Sequence, residues 1–319
     1  MRIRRCSVFL LLLLFACGTA AQTYPARPVK VVVPFPPGGA PDLVARTLAA
    51  RLAERLAQPF IVENRSGAGG NLAAEAVAKS PADGYTLLAT SDGPLVINPN
   101  VYAKVPFDPL RDFAPISLTA SVGLVLMACR HLPIQSVADI VTLSKVRTLS
   151  FASSGFGSSQ HLAGEMLKSS AGIALTYVPY KGFAQAVSDA IACNVDLIFG
   201  AISTGLPYIR AGKLRPIAVT IAQRHPELPG TPTFAEARHP GVAIEAYFGL
   251  LAPAGTPADI IQRLHAEVVG ILEEKQTSER LRGAGLDIVG STPEAFAARI
   301  QADLQKFAQV AKSLGTKAE

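Results

Sequence analysis

Two short segments place glycine and hydroxyl side chains where an apolar run gives way to a helical pattern. The first is Pro36-Pro37-Gly38-Gly39-Ala40-Pro41-Asp42, entered from the run Val29 to Phe35. The second is Ser153-Ser154-Gly155-Phe156-Gly157-Ser158-Ser159, entered from Leu149 to Ala152 and followed by His161. Glycine lets a ligand approach the backbone closely, and the first turn of a helix offers unpaired N–H groups at the positive end of its dipole. That is chemistry for holding an anion, not for breaking a bond. Ser153, Ser154, Ser158 and Ser159 add hydroxyl donors, and Ser158 or Ser159 is suited to cap the helix. Either segment alone reads first as a tight turn. Two of them, each at a strand end, make an anion clamp the sharper reading.

In the first segment the candidate ligand contacts are Phe35, Pro37, Gly38, Gly39, Ala40 and Asp42. Pro41 marks the helix start, where its missing N–H costs nothing. Asp42 complements the helix dipole, or accepts the ammonium of an amino-acid ligand. In the second, Gly155 and Gly157 expose backbone, and His161 either bonds locally or donates to the ligand. Ser91 after one strand, Tyr180 at the end of another, Gly200 and Ser203 after a third, and Phe248 complete the set. A further stretch, Asn64 to Asn71, lacks G-x-G-x-x-G spacing and reads equally as a rim loop with Asn71 as helix cap or as a ligand contact.

A covalent rival exists. Ala201-Ile202-Ser203-Thr204-Gly205 imitates a nucleophile elbow with Ala in place of the first Gly. A hydrolase needs a later histidine and an intervening acid. His225 and His239 lie in proline-rich stretches and His265 lies mid-helix, so Ser203 reads better as a loop or cap residue. The five histidines are far apart and no HExxH or C-x-x-C occurs, so neither a metal site nor a cofactor is expected.

These segments need elements to hold them. Strand-like runs at Val29 to Phe35, Phe60 to Glu63 and Tyr85 to Thr90 alternate with helical patterns at Asp42 to Ala57 and Leu72 to Lys79. The alternation resumes with strands near Gly123 to Ala128, Leu149 to Ala152, Leu175 to Val178, Val195 to Phe199 and Leu214 to Thr220. Parallel βαβ units with helices on both faces follow. After a strand at Phe248 to Ala252 come helical patterns at Pro257 to Glu274 and Pro293 to Ser313, separated by a short strand at Asp287 to Val289. One apolar strand passes to another across Ala120 to Gly123, and a second crossing lies near Pro240 to Tyr247. Two α/β lobes around a cleft, with a two-stranded hinge, are therefore expected. Residues 22–122 and 247–319 form the first lobe and 123–246 the second.

Arg2, Arg4 and Arg5, the apolar run Val8 to Ala16, and Thr19, Ala20 and Ala21 have the layout of a secretory signal peptide spanning residues 1–21. Leu14-Phe15-Ala16-Cys17 is a loose lipoprotein box in which Phe15 fits poorly. Removing the three leader arginines takes the formal charge from +6 to +3, without basic runs, which excludes a nucleic-acid footprint. Cys129 and Cys193 remain, and one disulfide between them is left open.

The pieces "RPVKVVVPFPPGGAPDLVAR", "VENRSGAGGNLAAEAVAKSPADGYTLL", "INPNVY", "DFAPISL", "HLAGEML", "VPYKGFAQAV", "GKLRPIAVT", "LPGTPTFAEA" and "LAPAGTPADI" occur in order over nearly the whole mature chain. In this the sequence resembles the Bug family, the tripartite tricarboxylate transporter receptors. The resemblance implies an α/β type II periplasmic binding-protein fold, a monomer closing on a small carboxylate, and membrane transporter subunits or a sensor domain as partner. It maps the family's ligand loops onto Phe35 to Asp42 and Ser153 to Ser159. There are departures. Pro41 stands where the family usually has Thr or Ser, Phe183 where it has a second Gly, and Phe248 where Trp is frequent. The Asp frequent after the strand that here ends at Phe199-Gly200 is absent.

Overall fold

The computed structural model describes residues 24–314. The signal-peptide and lipid-box readings lie outside the described residues. Strand β1 (Val29–Val33) is buried at every position but Lys30, as a β-branched run between two helical layers should be. It pairs in parallel with β2 (Phe60–Asn64) and β3 (Thr86–Ser91). Helix α1 (Ala40–Leu56) joins β1 to β2 and turns Val44, Leu48 and Leu52 inward. Helix α2 (Asn71–Ala78) joins β2 to β3, and the short helix α3 (Asn98–Val101) follows a single π-helical turn, Gly93–Ile97.

Strand β4 (Phe113–Cys129) departs from the sequence expectation of two strands meeting at Ala120 to Gly123. It is one strand of 17 residues. Ser121, the polar side chain in that stretch, reaches Glu245 at 3.4 Å, and just before it Thr119 Oγ1 donates to the Phe248 carbonyl and Ser117 Oγ to that of Ser291, both at 2.9 Å. From Phe113 to Gly123 it pairs antiparallel with β9 (Glu245–Pro253), which in turn pairs antiparallel with β3.

From Leu124 onward β4 takes β7 (Leu197–Ala201) on one edge and β8 (Leu214–Val219) on the other. Helix α4 (Val137–Ser144) leads to β5 (Leu149–Ala152), α5 (Ser159–Ala171), β6 (Leu175–Val178) and α6 (Phe183–Ile191). β5 pairs in parallel with both β6 and β7, and α7 (Ile202–Arg210) links β7 to β8. The strand order β2-β1-β3-β9-β4-β7-β5-β6 thus contains two α/β lobes sharing one strand.

The expected helix Pro257 to Glu274 is followed by a helix the sequence reading missed. α8 (Ala258–Glu273) stops, Glu274 takes extended angles, and α9 (Lys275–Gly283) begins. The Glu274 carboxylate accepts from Arg51 at 2.8 Å and Arg55 at 2.8 Å, so the break tethers both helices to α1. β10 (Asp287–Ile288) adds to β4 at Ala120 and Ser121, and α10 (Pro293–Leu314) closes the described chain.

Under α10 lies a polar cluster within the first lobe. Asp92 is 2 % exposed, and its Oδ2 and the neighbouring Tyr247 hydroxyl have no hydrogen-bond partner. Arg299 lies 5.1 Å over the Tyr247 ring and donates from Nε to Asp303 at 2.6 Å. Burial first, then Asp303, pushes the Asp92 carboxyl up to about 7, against the pull of the Gly93 N–H and Arg299. Because the folded-state value exceeds that of an unfolded chain, the protonated form stabilises the fold below pH ~4, and this is lost as pH rises through about 7.

Two predictions follow from these interiors. Asp92→Asn should flatten the fall in stability between pH 4 and 7 and raise stability at pH 8 by on the order of 1–4 kcal/mol in denaturant titrations. A variant with the wild-type pH profile would remove the assigned role. Cys129 and Cys193 form a disulfide with Cα atoms 5.4 Å apart and a sequence separation of 64. A loop of that length confers about 4 kcal/mol in the chain-entropy account. Cys129→Ser with Cys193→Ser should shift the unfolding midpoint accordingly, and reductant should move only the wild-type protein.

Candidate functional site

The first glycine segment is braced from behind. Asp42 is 4 % exposed; its Oδ2 accepts from the Gly38 N–H at 3.0 Å and its Oδ1 from Asn64 Nδ2 at 2.8 Å. Arg46 Nε reaches both oxygens at 2.9 and 3.0 Å, and Asn64 Nδ2 also holds the Phe35 carbonyl at 3.0 Å. Burial raises the carboxyl, but Arg46, Gly38 and Asn64 outweigh it and hold it below the ordinary range. Asp42 is therefore a loop anchor, and the ammonium-acceptor reading does not fit a carboxylate already committed to three partners.

Gly39 is the N-cap of α1, with no side-chain cap, and Pro41 sits in the first turn behind Ala40. The first turn thus has no side-chain cap on its Ala40 and Asp42 N–H groups, and Pro41 contributes none. Gly38 takes φ +90°, and a side chain there would meet nothing within 4 Å, so its requirement is conformational.

The second segment spends its hydroxyls internally. Ser158 caps α5, its Oγ accepting from the His161 N–H at 3.1 Å and donating to the Gly155 carbonyl at 2.6 Å. Ser153 Oγ accepts from the Gly155 N–H at 3.2 Å and shares a 3.1 Å hydrogen bond with the Tyr177 hydroxyl. Ser154 donates to Gln160 at 2.8 Å, and Ser159 is buried. Those side chains shape the loop, whose Gly155 and Gly157 lie at φ +143° and +73°. His161 is enclosed by aromatic side chains, with its Nδ1 buried and without a partner. Its ring packs between Phe156 and Tyr177, at 4.7 and 4.3 Å, and burial followed by Lys168 lowers its pKa to about 4.

This loop meets the first lobe. A side chain on Gly157 would fall 2.5 Å from Asn98 Oδ1, and Phe156 packs edge-to-face on Tyr102 at 5.8 Å. Gly93, two residues after Ser91, lies against the Gly157 carbonyl, and Gly155 against the Tyr180 carbonyl. Ser91, Gly155, Gly157 and Tyr180 are thereby brought together. The Tyr180 hydroxyl itself donates to Asp189 at 2.6 Å. Phe248 pairs with Ser91 across β9 and β3 and is buried.

Asn98 is the residue that sequence reasoning missed, although it stands inside the quoted piece "INPNVY". Its Nδ2 donates to Asn71 Oδ1 at 2.7 Å and the Gly69 carbonyl at 3.0 Å, which leaves Oδ1 buried and unpartnered at the seam. The third glycine stretch thus has a role. Asn71 is no helix cap, since Gly70 holds that position; it orients Asn98.

Ser203 begins α7 with a buried Oγ that has no partner, and His225 Nδ1 accepts from the Glu227 N–H at 3.2 Å. No histidine engages the Ser203 hydroxyl, so the nucleophile-elbow arrangement is not assembled. Among the described residues no group of three His, Cys, Asp or Glu side chains could hold a metal.

Two positions singled out in the sequence, Gly200 and Phe183, touch each other. A side chain at Gly200 would lie 2.4 Å from the Phe183 ring and 3.1 Å from Met127. The phenylalanine therefore occupies the space that a residue at position 200 would need. Gly200→Ala should cost about 1–3 kcal/mol in chemical denaturation by overpacking, and Phe183→Ala in the same chain should recover most of it. Additive losses would show that the two positions are independent.

Comparison with known proteins agrees with this geometry. A family model described as "Tripartite tricarboxylate transporter family receptor" matches residues 44–316. Protein BugT of Bordetella pertussis is 36% identical over 305 residues, covering 95% of this chain and 94% of that protein. The structure of R. palustris Rpa4515 with adipate superposes with TM-score 0.86 at 38% identity, over 92% of this chain and 98% of the other. MatC (Rpa3494) from Rhodopseudomonas palustris with bound malate gives TM-score 0.84 at 32% identity, over 90% and 100%. With two lobes sharing β4 and the Ser153–Ser159 loop seated against Asn98 and Tyr102 of the first lobe, the chain belongs to the tripartite tricarboxylate transporter receptor family of periplasmic solute-binding proteins.

Proposed function

We propose that this protein captures a small carboxylate between its lobes and presents it to the membrane subunits of a tripartite transporter. The observation that carries this reading is the pair of side-chain-braced glycine loops, Phe35 to Asp42 and Ser153 to Ser159. Each leads directly into a helix N-terminus, α1 or α5. Backbone N–H groups then do the binding, and the side chains of Asp42, Asn64, Ser153 and Ser158 keep those groups in place. Charge-assisted hydrogen bonds worth roughly 1.5–3 kcal/mol each bring a carboxylate to about micromolar affinity, near −8 kcal/mol, after closure and desolvation.

In this reading the lobes comprise residues 22–122 with 247–319, and 123–246. Gly38, Gly39, Ala40, Gly155 and Gly157 face the ligand, with Ser91, Tyr180, Gly200 and Phe248 lining the enclosure, while Ser203 is packed under Gly285 with its hydroxyl sealed. The mature protein starts after Ala21, works in the periplasm as a monomer and performs no covalent chemistry. Relatives solved with adipate and malate support a small di-acid or hydroxy acid as the ligand class.

Calorimetry on the mature protein against a library of organic acids should give micromolar binding of at least one carboxylate. Gly39→Pro, which removes an N–H from the first loop, should weaken it at least about tenfold. Turnover of model esters that disappears in Ser203→Ala would instead favour a hydrolase, and absence of heat or thermal shift across the library would overturn the capture reading.

A further inference from the structure

The lobes also touch away from the glycine loops. The turn between α9 and β10 belongs to the first lobe through the pairing of β10 with β4, and α7 belongs to the second. There Gly285, at φ +74°, lies directly on Ser203. A side chain on Gly285 would fall 2.6 Å from Ser203 Cβ, 2.7 Å from its Cα and 3.3 Å from its N. Two of those three atoms are backbone, so no rotamer change relieves the contact. Beside it a cavity of about 320 Å³ draws its walls from both lobes, Leu206, Arg210 and His225 on one side and Arg282, Leu286 and Asp287 on the other. Ser203 Oγ is sealed and unpartnered beneath this contact.

We propose that Gly285 is a positioning residue for ligand capture: the bare backbone on which α7 lands when the lobes close. The inference rests on the capture reading above, and it adds a determinant of affinity that touches no ligand. At the other seam Gly157 seats on Asn98 in the same manner, but it belongs to a binding loop, so substitution there confounds contact with closure. Gly285 separates the two. In the conformation described a Cβ at this position is a wedge against α7; on this proposal α7 leaves it when the lobes part, so the wedge should raise the free energy of the closed state relative to the open one.

Gly290 supplies the control. It lies five residues on, beyond β10, and has a similar φ of +61°, yet a Cβ there would meet nothing nearer than 3.8 Å. Gly285→Ala and Gly290→Ala therefore carry the same left-handed strain, and only the first carries the wedge. Exposed Ile61 on β2 and exposed Val146 after α4 offer cysteine positions for spin labels, one on each lobe, since Cys129 and Cys193 are tied up with each other.

The experiment measures the distance distribution between those labels without ligand and with malate or adipate, together with calorimetry for any acid that binds. Gly285→Ala should deplete the short-distance population about tenfold and weaken binding by the same factor, while Gly290→Ala matches wild type in both and loses comparable thermal stability. A Gly285→Ala protein with the wild-type distance distribution and affinity overturns the seat. If Gly290→Ala opens the lobes equally, strain and not the wedge is responsible, which also overturns it. A wild-type protein with no short-distance population in any condition overturns the capture reading itself, and the distinction is visible before any variant is made.

Discussion

Everything in this molecule turns on the hydrogen-bonding of one strand at one point. At Gly123 β4 still pairs with Glu245 of β9, and at Leu124 it has already taken Ala201 of β7. Thr220 fastens the change. Its hydroxyl donates to the Ile244 carbonyl at 2.6 Å and accepts from the Leu124 N–H at 3.0 Å, while its own N–H reaches the Leu124 carbonyl at 2.9 Å. Ile221 and Ile202 close over Gly123 so tightly that a Cβ there would lie 2.6 and 3.0 Å from them. At this first crossing the chain therefore passes from one lobe to the other without a loop, with the N–H and the carbonyl of Leu124 both paired to Thr220.

That constraint explains how the glycine loops are built. If lobe movement is confined to a paired strand, the loops on either side can be rigid. Their side chains accordingly point backward, Asp42 and Asn64 behind one loop, Ser153 and Ser158 inside the other. Under the proposed capture, the arrangement would trade direct side-chain contacts for preorganised backbone donors, lowering the ordering cost of binding. Recognition would then depend on shape around the anion more than on a complementary charge; relatives solved with adipate and with malate carry different acids.

Much of this was legible in the chain. The β-branched run Val29 to Val33 ending at Pro36-Pro37-Gly38-Gly39 states strand, loop and helix in order, and Ser158 is a cap by residue type alone. What stayed hidden required partners distant in sequence. Asn64 and Arg46 decide that Asp42 is an anchor, but nothing in Asp42 itself says so. His161 sits in the first turn of a helix like a donor, yet Phe156 and Tyr177 bury it. Thr119 and Ser121 looked like the end of a strand because their hydrogen-bond partners come from Phe248 and from Glu245, more than a hundred residues away. The break at Glu274 depends on arginines in α1. Cys129 and Cys193 could be paired only once β4 and α6 had brought their Cα atoms together.

The contact between Gly200 and Phe183 has a historical side as well as an energetic one. Two neighbours that compete for the same volume cannot be changed in either order at equal cost. A chain bearing a side chain at position 200 that acquires phenylalanine at 183 passes through a clash, whereas one that first loses the side chain at 200 leaves only a gap for the ring to fill. Removing the ring while Gly200 stays bare would open a hollow beside Met127 under α6, so the order in which the two positions are exchanged decides whether a chain meets a clash or a void.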